Sequence, residues 1–237
     1  MSIALGSLYG VGVGPGDPEL LTLKARRIIS EAPVVAVPKS QSSEASYALT
    51  IVDGFIDRDR QEVLELSFPM REGRAQIEHA RRGAAEAILE QLKQGKDVAF
   101  ITEGDPFLYS TFIYAFQAIR EMCPEVNIEV VPGVSSVNAA AVSALVPLAN
   151  GEDRLAVLPA TCPQEHLRAA LSLFDTVVIL KMSAAPEGLF DLLGEMELTS
   201  NSVLIKRSST CQEEVVRDIG QLRGKKLDYF SLLIVRK

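Results

Sequence analysis

Short apolar runs alternate with amphipathic stretches along almost the whole chain. Residues 7–13, 34–38, 62–68, 97–104 and 127–133 are short runs, mostly with continuous apolar centres, the pattern of strands buried on both faces. Between them, residues 18–30, 43–52, 74–94 and 107–122 repeat their apolar positions at helical spacing. The longest of these, 74–94, lines up Ile77, Ala84, Ile88 and Leu92 on one stripe, with charged residues elsewhere and Gly95 to stop it. Strands alternating with helices of this length predict right-handed crossovers and a mostly parallel sheet.

The second half is built differently. Strand patterns at 154–160, 176–182, 203–207 and 229–235 accompany helical patterns at 164–174 and 186–193, while 213–219 fits either state. No helical pattern joins the last two strands convincingly, so an antiparallel pair and a mixed sheet are expected there. The reading is two α/β domains, 1–134 and 135–237, meeting near residues 132–138.

Composition narrows the function. A chain of 237 residues with 47% apolar and 23% charged positions is an ordinary globular protein. A folded chain of this size buries roughly 70–75% of its extended surface. It carries no run near the ~20 apolar residues of a membrane span, and its start lacks the basic and apolar segments of a secretory signal. Cys123, Cys162 and Cys211 lie far apart and form no Cys-x-x-Cys pair, and only two histidines are present, so no protein-bound metal is expected. Cytoplasm is the expected compartment. A net charge of −7 disfavours nucleic acid as a partner, because phosphate contacts need a basic face.

Chemistry concentrates in three strand-to-helix turns. The first, Gly12-Val13-Gly14-Pro15-Gly16-Asp17-Pro18, offers backbone that a ligand can approach closely, with Asp17 as a helix cap and Pro18 at the first helical position. It is no dinucleotide fingerprint. Counted from Gly10 the third glycine is replaced by Pro15, counted from Gly12 by Asp17, and that carboxylate would repel a pyrophosphate. No Gly-Lys-Ser/Thr follows, which excludes a P-loop. The second turn, Glu103-Gly104-Asp105-Pro106, repeats the arrangement of glycine, Asp and proline. Asp105 reads either as a cap or as an acceptor facing a ligand crevice. The third, Pro132-Gly133-Val134-Ser135-Ser136, leads into a helix of very small residues, with either serine suited to cap it.

Together and in this order, the three turns resemble those of the tetrapyrrole (corrin/porphyrin) methyltransferases over nearly the whole chain. The wording from Glu103 to Phe112 looks most like the members that methylate carbon 20 of precorrin-2 or cobalt-factor II in cobalamin biosynthesis. The resemblance implies two α/β domains with an active-site cleft between them, homodimerisation, and S-adenosylmethionine as methyl donor. It implies cofactor contacts from Pro15, Glu103, Gly104, Asp105, Leu108, Ser135, Ser136 and Met182. Arg207-Ser208-Ser209-Thr210 departs from the Asn-Gly-Thr-like turn of many members, which leaves a contact there open.

Methyl transfer from a sulfonium is an in-line displacement in which positioning and desolvation carry most of the catalysis. A proton must then leave carbon 20. Asp17, Asp105 and Tyr109 are candidates by location, Asp105 and Tyr109 foremost, with a substrate carboxylate or water as alternatives. An anionic tetrapyrrole calls for cations at the crevice, and Lys39, Arg71 and Arg74 follow strands on that side. The rival readings are methylation of another ring carbon, of a ribosomal RNA ribose or of a diphthamide precursor, and a dinucleotide-dependent oxidoreductase.

Overall fold

A computed structural model describes residues 4–39, 46–69, 73–186 and 188–237. The chain divides into two compact units, Met1–Ser135 and Ser136–Lys237.

The first unit holds five parallel strands: β1 (Leu8–Gly12), β2 (Val34–Lys39), β3 (Glu62–Ser67), β4 (Val98–Thr102) and β5 (Ile128–Val131), in the order β3-β2-β4-β1-β5. Their alternation sorts the core into two layers. Val34, Ala36, Val98 and Phe100 meet Ala84, Ile88, Leu92, Phe112 and Ile119 of α3 (Arg74–Lys93) and α4 (Phe112–Met122). Val35, Val37, Ala99 and Ile101 meet Ala25, Ile28, Ile29, Ala48 and Ile51 of α1 (Leu23–Glu31) and α2 (Tyr47–Val52). Strands buried on both faces are what their continuous apolar centres predicted. Gly10 is required by packing, since a Cβ there would enter the ring of Phe112.

The second unit contains β6 (Leu155–Pro159), β7 (Thr176–Leu180), β8 (Ser202–Lys206), β9 (Glu214–Val216) and β10 (Ser231–Arg236), ordered β6-β7-β10-β8-β9. β6 and β7 are parallel, and β10 runs antiparallel to both β7 and β8, as does β9 to β8. The sheet is therefore mixed. α6 (Gln164–Leu173) and α7 (Leu189–Glu195) cover one face, packing on Val177, Ile179, Leu204 and Leu233. α5 (Ser136–Ser143) covers the other through Val137, Ala140 and Ala141, against Val178, Ile205 and Ile234.

Two helix starts differ from the sequence expectation. The helix expected at 18–30 is a 3-10 turn, Pro18–Leu20, followed by α1, because the Thr22 hydroxyl accepts the N–H of Ala25 and starts the helix afresh. The helix expected from 107 begins at Phe112, because Tyr109 takes a left-handed φ of 54° that no helix accommodates. The ambiguous 213–219 resolves into β9 and the start of a 3-10 turn, Ile219–Leu222.

Candidate functional site

β1 leads through α1 to β2, and the neighbouring β4 leads through α4 to β5. The two helices lie on opposite faces, so the carboxyl ends of β1 and β4 form a topological switch point, the place where parallel sheets open a ligand crevice. The first two glycine turns both emerge there.

Those turns are joined. The strand ladder continues as Val13 N–H donates to Thr102 O at 2.9 Å, and Gly104 N–H donates to Gly14 O at 2.8 Å, an isolated bridge beyond the strand ends. Gly14 and Gly104 hold φ of 77° and 64°, the region where glycine alone is at ease. The third turn closes against both. A Cβ on Gly12 would lie 2.6 Å from both Gly104 O and Gly133 N. Three stretches of backbone thus meet with no room for a side chain at Gly12 or Gly133.

Asp105 holds this junction together. One carboxylate oxygen accepts the N–H of Phe107 at 2.9 Å and the other accepts the N–H of Gly133 at 3.2 Å, tying the second turn to the third. The sequence offered a helix cap or a crevice acceptor. The structure makes Asp105 neither the cap of α4 nor an idle carboxylate. The start of α4 is served instead by buried Ser110, whose hydroxyl accepts the N–H of Phe112 at 3.1 Å and lies 2.8 Å from Thr102 Oγ1. Asp17 likewise accepts the N–H of Glu19 at 2.8 Å.

Glu103 stands between these fixed points. Its neighbours Thr102 and Gly104 are both hydrogen-bonded to the first turn, so its Cα cannot wander. Among the described residues its side chain has neither hydrogen-bond nor ion-pair partner. It keeps some contact with water although protein atoms surround it, and this burial pushes its carboxyl up to about 7. Nothing in the local sequence signals this, because desolvation comes from the surrounding fold. A carboxyl whose pKa is higher in the fold than the ordinary 4.5 contributes full stability below that value and loses it as pH rises through about 7. Glu103→Gln should therefore gain about 3 kcal/mol over the parent at pH 8 and nothing at pH 4. Urea unfolding at the two pH values checks the sign.

Beside these groups, Phe107, Leu108 and Tyr109 are three consecutive apolar residues at least 38% exposed, with Phe107 edge-to-face against Phe116 at 5.4 Å between ring centroids. Pro15 is partly buried on the first turn, and Ser135 closes the first unit as Ser136 opens α5. Of the expected cations, Lys39 is paired with Glu65 at 2.9 Å. Arg71 lies outside the described residues. Arg74 opens α3, and its side chain is likewise outside the description.

In the second unit, Met182 is 1% exposed and packs in the core with residues of α6 and α7. The chain before it is unusual. β7 and β8 both run antiparallel to β10, so their carboxyl ends share one edge, and Lys181 (φ 60°), Arg207 (φ 44°) and Ser209 (φ 63°) all take left-handed backbone there. Arg207 to Thr210 departs in sequence from an Asn-Gly-Thr-like turn, yet its backbone keeps the geometry that Asn and Gly favour. Thr210 Oγ1 donates to Arg207 O at 2.8 Å, and the guanidinium of Arg207 pairs with Asp228 at 2.9 Å.

The profile of the tetrapyrrole (corrin/porphyrin) methylases matches residues 7–222. A cobalt-precorrin-2 C(20)-methyltransferase of Salmonella typhimurium is 33% identical over 98% of this chain and 97% of its own. A probable enzyme of the same name from Methanocaldococcus jannaschii is 35% identical over 97% and 96%. Among solved structures, uroporphyrin-III C-methyl transferase of Thermus thermophilus, complexed with S-adenyl homocysteine, superposes with a TM-score of 0.68 at 23% identity, covering 98% of both chains. A cobalt precorrin-4 methyltransferase superposes at 0.72 with 21% identity over 97% of this chain and 94% of its own.

Proposed function

The chain belongs to the tetrapyrrole (corrin/porphyrin) methylases, and we propose that it transfers a methyl group from S-adenosylmethionine to carbon 20 of precorrin-2 or cobalt-factor II in cobalamin biosynthesis. The observation that carries this reading is similarity to C(20)-methyltransferases along the full length of both chains, in a chain whose three glycine turns meet at one switch point. S-adenosylmethionine, when bound, supplies a methyl group made electrophilic by its sulfonium.

The residues fit that group. A glycine-lined rim with no lysine in its turns suits a nucleoside without phosphate. Pro15, Gly104, Asp105 and Leu108 would bind it from the first unit, with Asp105 fixing the backbone of the third turn through Gly133. Ser135 and Ser136 follow directly on that turn. The exposed Phe107-Leu108-Tyr109 run offers apolar surface to a large planar ring. Electron-rich bridge carbons need no further activation, so holding the ring about 3–3.5 Å from the donor carries the rate. Lys39, Arg71 and Arg74 are proposed to meet the acidic side chains of the ring, Lys39 at the expense of its pairing with Glu65.

The same reading has the enzyme act as a homodimer in the cytoplasm. Three free thiols suit a reducing compartment, and no helix among the described residues is long and apolar enough to cross a membrane.

Isothermal titration should give micromolar or tighter affinity for S-adenosylhomocysteine and none for NAD. Labelled S-adenosylmethionine should then place its methyl on carbon 20 of precorrin-2 or of cobalt-factor II, read by carbon-13 NMR. Label at another ring carbon would replace the position, and binding of NAD alone would remove the methyltransferase reading.

A further inference from the structure

Methylation of carbon 20 leaves that carbon holding both its original hydrogen and the new methyl, so one group must accept a proton. This question rests on the carbon-20 reading above. The carboxylates of the three turns differ in what they have left to give. Asp17 is engaged by the N–H of Glu19. Asp105 is engaged at both oxygens, and drawing it away would unlatch Gly133. Tyr109 is an exposed phenol held in left-handed backbone.

Glu103 differs in each respect. Its side chain meets no hydrogen-bond donor and no cation among the described residues. Its backbone is held on both sides by the hydrogen bonds of Thr102 and Gly104 to the first turn. It sits at the carboxyl end of β4, the central strand, where the switch point opens. We infer that Glu103 is a catalytic residue, the base that takes the proton from carbon 20 after methyl transfer.

In the step, carbon 20 gives an electron pair to the methyl carbon while sulfur keeps the pair of the broken S–CH3 bond. The carbon 20–hydrogen bond then breaks, its pair returns to the conjugated ring, and the proton passes to a Glu103 oxygen. Its remaining contact with water lets the proton leave. Burial alone raises this carboxyl to about 7, close to the basicity that best serves proton transfer near neutral pH.

The test compares the parent with Glu103→Gln, which keeps shape and removes basicity. With precorrin-2 or cobalt-factor II as acceptor, turnover should fall by roughly 10²-fold or more, while affinity for S-adenosylhomocysteine, read by titration, stays within about threefold. The parent rate should rise with pH through about 7, and that limb should vanish in the variant. Deuterium at carbon 20 should slow the variant more than the parent, a signature that a merely structural role would not give. Unchanged turnover in the variant would overturn the assignment. Loss of S-adenosylhomocysteine affinity as large as the loss of turnover would also overturn it, making Glu103 a cofactor contact. A parent that binds S-adenosylhomocysteine but leaves carbon 20 unmethylated would instead sink the functional reading, and this role with it.

Discussion

Gly133→Ala should lower affinity for S-adenosylhomocysteine by about 10²-fold and slow methyl transfer at least as much, in a protein that still folds. The added Cβ would fall far inside van der Waals contact with the carbonyl oxygen of Gly104 and 2.8 Å from Cα of Gly12. Both obstacles are backbone, and both are pinned. Gly104 is tied to Gly14, and Gly12 lies in register with Thr102 in the middle of a five-stranded sheet. The third turn must therefore move away, by something near an ångström, and the Asp105 hydrogen bond to Gly133 N stretches from 3.2 Å beyond useful length. A shift of that size at a positioning group is enough for the predicted loss. Gly83→Ala provides the control. Gly83 is exposed in the interior of α3 with nothing within 4 Å of its Cβ position. Alanine there should stabilise the protein by about 0.5–1 kcal/mol and leave binding unchanged. Titration calorimetry and circular dichroism on both variants give the answer; equal affinity in Gly133→Ala would mean that the three-turn junction does not shape the cofactor site.

Asp105→Ala should have the second-largest effect. It leaves the N–H groups of Phe107 and Gly133 without their acceptor, a loss of about 1–3 kcal/mol at each site if water does not replace it. The second and third turns would then be held together only by packing. Affinity for S-adenosylhomocysteine should fall by roughly 10- to 100-fold, for a loss of about 1.4–2.8 kcal/mol. Asp105→Asn keeps one carbonyl oxygen and turns an amide toward the other N–H, so its loss should fall between the parent and alanine. Titration of both variants orders them. If asparagine bound as weakly as alanine, the charge of Asp105 would matter more than the two hydrogen bonds. Paired with the Glu103→Gln comparison, the series separates a carboxylate that positions backbone from one that accepts a proton.

How much of this could be read from the chain follows from the range of each interaction. The strands of the first unit were legible because burial on both faces leaves unbroken apolar centres such as Val34 to Val37. The helix over Arg74–Lys93 was legible because its stripe needs only neighbouring residues to be recognised. The expectation of a mixed second sheet came from the missing crossover before the last strand, and β8 and β10 are antiparallel. The three turns announced themselves through glycine, proline and Asp at fixed spacing, which is local chemistry and is written locally.

The chain could not say what those turns do to one another. Asp-Pro before an apolar stretch has the wording of a helix start, and the sequence therefore ran α4 back to 107. Only the tertiary structure shows that Asp105 also holds Gly133 with its second oxygen, and that left-handed Tyr109 keeps the helix from starting before Phe112. Met182, a cofactor contact only by resemblance, is seen to be buried in the core of its unit once the fold is in place. Glu103 is one glutamate among many until the protein around it removes water. By itself, then, the sequence determined the elements, the two-part α/β plan and the three glycine turns, since hydrophobic period and turn residues act over a few positions. The tertiary structure decided which carboxylate is engaged, which is desolvated, and why Gly12 and Gly133 admit no Cβ. Those properties arise from groups about 30 to 120 residues apart in the chain that only folding brings into contact.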